Sequence, residues 1–302
     1  MAVADAKYFT KILAAAVLAS SPKQQIMPIE LISNLHDMIP VDVREINTGL
    51  LYDKSLRQIA KTTVHHGNRS VEFGELFRLR GNHGDGQVIW KGNLKHVHQI
   101  GYRMDQGEWI VEGTAGNHVG REMSGGQITV RGDVGDHAGG SMRGGLIRIQ
   151  GNAGDQAGGC HPGSKFGMNR GTILITGNAG TAAGNGMRRG LIAIGGDAQG
   201  GLGINMQAGT IVVLGKCKSP VASNMKRGTI VIGSNDRENS ACFSSINFRR
   251  ASRDGSPVVG LIAHWLEKSG FEFDRESFLR RQFEQFAGDQ VHHGRGEVFV
   301  AT

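Results

Sequence analysis

The residues best placed to do chemistry are cations that trail a recurring methionine. Arg143, Arg170, the pair Arg188 and Arg189, and the pair Lys226 and Arg227 each stand one or two places after such a methionine. Lys165 joins them from a segment, "CHPGSKFG", that interrupts the spacing. If equivalent positions stack, these charges lie roughly 5 Å apart. Even in water, neighbours at that distance repel by about 0.8 kcal/mol per pair. A fold gains nothing from such a column by itself, so the set predicts an anionic counterpart. The alternative is that the side chains fan into solvent or pair with local Asp and Glu. The net charge of +7 agrees in sign with the first reading.

Other constellations carry less. Among twelve histidines, His65 and His66 are adjacent, as are His292 and His293, and "KHVHQ" supplies His96 and His98. An H-x-H pair puts both rings on one face of a strand, yet no cysteine or carboxylate cluster completes a metal set. Surface or partner-facing histidines are therefore expected, and no metal site. Cys160 beside His161 could support a thiolate, but an ordinary loop is the plainer expectation. "GNAGTAAG" has the wrong glycine spacing for a dinucleotide fingerprint, and no GxxxxGK[ST] occurs. No Ser-His-Asp order stands out, so no residue is assigned as catalytic.

The elements that position these residues are set by a repeat. Methionines stand at 104, 123, 142, 168, 187, 206 and 225; five of the six intervals are 19 residues and the other is 26. Three places after each methionine is glycine, from Gly107 and Gly126 to Gly209 and Gly228. Two and four places further come apolar residues, as in Ile128 and Val130, Ile173 and Ile175, Ile192 and Ile194. This period-two alternation over a short β-branched run marks a strand with one buried face. A second signature, G-x-x-G-x-x-x-G, follows each strand and decays towards the C-terminus.

Nineteen residues are too few for a strand-helix-strand crossover but enough for one coil of a solenoid. The expected fold is all-β dominated: a right-handed, single-stranded parallel β-helix of 19-residue coils with a C-terminal helical cap. Residues 27–72 form an N-terminal region, 73–242 the glycine-repeat β-helix and 243–302 the cap. "GDGQVIWKGN" and "FGELFRLRGN" (73–82) read as looser early coils. In the cap, "SPVVGLIAHWLEKSG" and "DRESFLRRQFEQFAGD" read as two helices covering the open end, the second with Phe278, Leu279, Phe283 and Phe286 on one face. "GEVFVAT" is expected as an edge strand. Residues 1–26 outline a signal peptide or, in the preferred reading, an extension ahead of a start at Met27; they are kept out of fold reasoning. Residues 160–167, which hold the seven-residue excess, are expected to leave the coil as a loop facing a partner or a cofactor arm.

This pattern resembles the glycine-repeat β-helix family. The family includes the C-terminal domain of the glutamate synthase large subunit. It also includes the C subunits of formylmethanofuran dehydrogenase and of the bacterial formyltransferase/hydrolase complex. The free-standing chain and its leading "MPIELISNLHDMIPVDV" look more like these C subunits. The resemblance implies a scaffold, not catalytic by itself, that organises catalytic sister subunits of a formyl-handling hetero-oligomer in tetrahydromethanopterin-linked one-carbon metabolism. It implies a methanofuran-type cofactor shared by the complex, with molybdenum or tungsten in a sister subunit if anywhere. It also supplies an anion for the basic column: the polyglutamate arm of that cofactor. The alternatives are a glutamate synthase-like structural domain and a basic nucleic-acid-binding solenoid. Aromatic residues are few, which argues against single-strand binding. A carbohydrate-active β-helix is disfavoured because the outward positions Thr129, Arg148, Leu174, Ala193 and Val212 carry no carboxylate. No apolar run approaches the roughly 18 residues of a membrane span. Three scattered cysteines, Cys160, Cys217 and Cys242, fit a reducing compartment, hence a cytoplasmic location.

Overall fold

The computed structural model describes residues 27–82, 86–161, 163–164, 166–234, 247–252, 256–292 and 294–302. The segment 1–26, Lys165, Cys242 and His293 lie outside the described residues.

The repeat stacks in register. From Gln87–Lys91 through Glu108–Val111, Gln127–Val130, Arg143–Ile149, Arg170–Ile175, Leu191–Ile194 and Thr210–Val213 to Arg227–Ile232, each strand pairs in parallel with the next. Ile128, Ile147, Ile173, Ile192, Ile211 and Ile230 are successive partners in one row. A second row of parallel bridges joins Leu94, Ala115, Val134, Ala153, Ala179, Ala198 and Cys217 on another side of the coil. The longer interval between Met142 and Met168 does not shift the ladder, because Ile147 still opposes Ile173.

Each coil turns a small set of side chains inward. In one coil Met123, Ile128, Val130, Val134 and Ala138 are all buried. Full burial of each large aliphatic contributes about 1.5–3 kcal/mol. The methionine explains the glycine that follows one coil later. A Cβ on Gly190 would lie 2.7 Å from the Met168 methyl, and the backbone there has φ +107. The position thus excludes a side chain on two counts.

The polar edge of the stack is held by side-chain rungs. After the strands from Glu108–Val111 to Leu191–Ile194 an Asn or Asp accepts the backbone N–H of its counterpart one coil on. One row runs Asp133 to Asn152 N, Asn152 to Asn178 N, Asn178 to Asp197 N and Asp197 to Lys216 N, at 2.7–2.8 Å. A second row runs Asn117 to Asp136 N, Asp136 to Asp155 N and Asp155 to Thr181 N. His98 begins that second row, its Nδ1 accepting from Asn117 N at 2.8 Å.

The two ends depart from the repeat. Residues 73–82 do not form a coil: Phe73–Leu76 is a short helix and Phe77–Arg80 is a strand antiparallel to Ile29–Ser33. The reason is the aromatic pair, since Phe73 and Phe77 stack at 4.4 Å and pack on Trp90 to close the core. Ile29–Ser33 also pairs in parallel with Gln87–Lys91, so Phe77–Arg80 becomes the last strand of the main sheet at that end.

At the other end the helices are present but do not lie across the opening. Ser256–Lys268 runs along the flank of the sheet, where Val259, Ile262, Ala263 and Leu266 cluster with Leu174, Ala193, Val212 and Val231. Those outward strand positions are apolar because the helix covers them. Arg148, one coil beyond that apolar patch, donates to Ser269 O and Gly270 O and so satisfies the carbonyl end of the helix. The second helix is only Arg275–Leu279; Phe283 and Phe286 sit instead in the strand Phe283–Gly288. Pairing with a strand on either side outweighs the helical spacing of the aromatics. Arg295–Ala301 is interior, not an edge: it adds a parallel layer on Arg227–Ile232 and an antiparallel one to Phe283–Gly288.

Candidate functional site

The cations after the methionines fall where the coil turns into its strand. Arg143 opposes Arg170 across adjacent strands. Arg170, Arg189 and Arg227 each precede by two residues the stacked positions Thr172, Leu191 and Thr229, while Ala208 takes that place before Thr210. Arg227 in turn opposes Arg295, which extends the column by one layer that the methionine spacing does not reveal. Arg143, Arg170, Arg188, Arg189, Lys226, Arg227 and Arg295 are all exposed. The arginines that form ion pairs among the described residues are others: Arg44, Arg103, Arg121, Arg131, Arg250, Arg275 and Arg280.

The inserted segment sits beside this column. Ser141 and Ser164 hydroxyls both donate to Phe166 O, which pins the loop to the coil. The Phe166 ring is exposed and lies 4.4 Å beneath the Arg188 guanidinium. His161 faces Glu122 at 3.7 Å. The arrangement sets exposed positive charge in a row, the chemistry that attracts carboxylates.

A second polar region lies along the early coils. There the Asp42–Arg44 pair, His65, His98, Gln99, Asn117 and His118 line a cleft of about 500 Å³. His118 and His137 stack at 4.9 Å with rings 15° apart. Burial, and then the charges of His137 and Arg121, push the His118 pKa down to about 4. Burial also lowers His137, with Asp136 opposing and His161 and Arg121 adding to it. Burial works against the Glu122 carboxylate, but Arg103, Arg121 and His161 outweigh it and hold its pKa below the usual value.

No family model matches the chain. The C subunit of tungsten-containing formylmethanofuran dehydrogenase 2 from Methanothermobacter wolfeii is 35% identical over 85 residues, 27% of this chain and 32% of that protein. The protein of the same name from Methanococcus maripaludis is 32% identical over 93 residues, 30% of this chain and 34% of that one. The chain thus spans about a third of the length of these curated relatives. A far longer match is to a chain of the formyltransferase/hydrolase complex FhcABCD from Methylorubrum extorquens, solved with methylofuran. It has 30% identity, a TM-score of 0.79, and covers 90% of this chain and 99% of that one. The chain belongs to the family of C subunits of formylmethanofuran dehydrogenases and formyltransferase/hydrolase complexes.

Within this C-subunit fold the histidines separate by role. His98 is a rung of the ladder, and His66 meets Asp37 at 3.2 Å. Among the described residues no group of three or more His, Cys, Asp or Glu could hold a metal ion. No helix among them is long and apolar enough to cross a membrane. The stacked pair His118 and His137 is not among the histidine pairs that adjacency in the chain picks out. A signal for it exists all the same, since each stands five residues before a repeat methionine, Met123 and Met142.

Proposed function

We propose that this chain is a non-catalytic scaffold subunit of a cytoplasmic formyl-handling complex that works with a methanofuran-type cofactor. Its partners are the catalytic sister subunits, and any tungsten or molybdenum sits in one of them. The observation that carries this reading is the match over nearly the whole length of an FhcABCD chain. A stiff stack of coils with exposed outer faces suits the task of holding other subunits at fixed separation.

The basic column is assigned to an anionic arm of the shared cofactor. Arg143, Arg170, Arg188, Arg189, Lys226 and Arg227 supply the charge, with Lys165 in the adjoining loop. A flexible polyglutamate tail resting on this ridge keeps the reactive end tethered while it moves between active sites. Exchanging Arg170, Arg188 and Arg189 for glutamine in the assembled complex is expected to raise KM for the long-tailed cofactor about tenfold or more. A tail-less analogue should be handled as before. Equal effects on both would reject the tail assignment.

A further inference from the structure

Six buried side-chain atoms among the described residues lack a hydrogen-bond partner, and four of them gather at one corner: Gln99 Oε1, His118 Nδ1, Arg121 Nε and His137 Nδ1. They belong to three consecutive coils and stand on or next to the cleft between those coils and residues 40–67. The other two are indole nitrogens, Trp90 and Trp109, inside the aromatic end of the core. A buried polar atom without a partner costs about 1–3 kcal/mol, so four at one place mark a site completed by something further.

From these atoms we infer that the corner is a binding site for a small oxyanion, entered through the cleft lined by Arg44, His65, His98, Gln99 and His118. Arg121 Nε can only donate, so its missing partner is an acceptor. Gln99 is 5% exposed, and its amide can turn to present N–H to the same space. His98 accepts from Asn117 N at Nδ1, which leaves its Nε2 as the donor. Arg103 at 2.9 Å and Arg121 at 3.4 Å share the one carboxylate of Glu122, while Asp42 is matched by Arg44.

The neighbouring imidazoles reinforce this. His118 is acted on by His98, His137, Arg121 and Asp42. His137 is acted on by Asp136, Asp155, His161 and Arg121. Both are kept from protonating, and an anion entering the corner relieves that, so binding should take up a proton and strengthen as pH falls from 7.5 to about 6.

The site is independent of the polyglutamate ridge, and the two are told apart by substitution. Inorganic phosphate and acetate are titrated separately into the full chain by calorimetry, in two buffers of different ionisation enthalpy. Saturable binding of one or both with Kd of about 1 mM or tighter is expected, with proton uptake at pH 6.5. His118→Gln should weaken it at least tenfold, whereas the ridge variant carrying glutamine at 170, 188 and 189 should leave it unchanged. Phosphate binding without acetate binding narrows the ligand to phosphoryl groups; binding of both extends it to carboxylates. Gln99→Met serves as the second variant should His118→Gln fail to fold, and it too should weaken binding. The inference is overturned by no saturation below about 50 mM, by affinity that survives both cleft variants, or by affinity lost only with the ridge.

Discussion

The early and late coils share one backbone plan but complete their polar corners differently. In the late coils Asn224 donates to Asn205 at 2.5 Å and Asn205 donates to Asn185 at 3.2 Å, so each amide answers the next. Four residues earlier in the repeat, where the late coils have Ala182 and Gly201, the early coils hold Gln99, His118 and His137, which together with Arg121 keep atoms left over. The place just before the methionine is answered in both, by Arg103 donating to Glu122 at 2.9 Å early and by Asn224 donating to Asn205 late. A solenoid therefore does not need its corner residues to be reactive in order to stand. Where the ladder closes on itself it is structural, and where it stays open it is available for a ligand.

Three changes test that contrast. The largest effect is expected from Asn205→Leu, which strands two amide partners and puts a branched side chain at φ +57. A loss of about 2–3 kcal/mol should appear in urea unfolding; a loss below about 0.5 kcal/mol would show that the late ladder is not closed by these amides. A middling effect comes with pH. The folded form holds the His118 proton more weakly than the unfolded chain, since its pKa is about 4 against an ordinary 6.5. Stability is thus full above pH 6.5 and declines as pH falls towards 4, by about 1–2 kcal/mol once screening at a half-exposed ring is allowed for. His118→Gln should flatten that part of the stability profile; an unchanged slope would place the titration elsewhere. The smallest effect is expected from Gln99→Met in the free chain, which removes an unanswered amide and keeps the shape. Stability should stay within about 0.5 kcal/mol or rise, and a loss as large as that of Asn205→Leu would make the two corners alike.

Much of the stack is legible in the sequence because the repeat is written in residues whose roles leave few options. Glycine at Gly190 meets both a positive φ and the Met168 methyl, and Ile173 and Ile192 can only be inward rows. The exposed cations after the methionines also lie where the spacing puts them. What stays hidden depends on contacts between distant segments. Nothing local says that Ser256–Lys268 covers Leu174, Ala193 and Val212, although apolar residues at outward positions call for a cover. The Asn and Asp rungs are hidden for another reason: they read as turn residues, and their partners are backbone groups nineteen or more residues away. The open corner is hard to read because its histidines are neighbours between coils and not along the chain.

The scaffold role is tested most directly by reconstituting the complex with and without this chain. Sister subunits prepared alone should retain their separate partial reactions, while the coupled rate falls at least tenfold and returns when the chain is added back. A partial reaction that is absent from the sister subunits and appears with this chain by itself would contradict it.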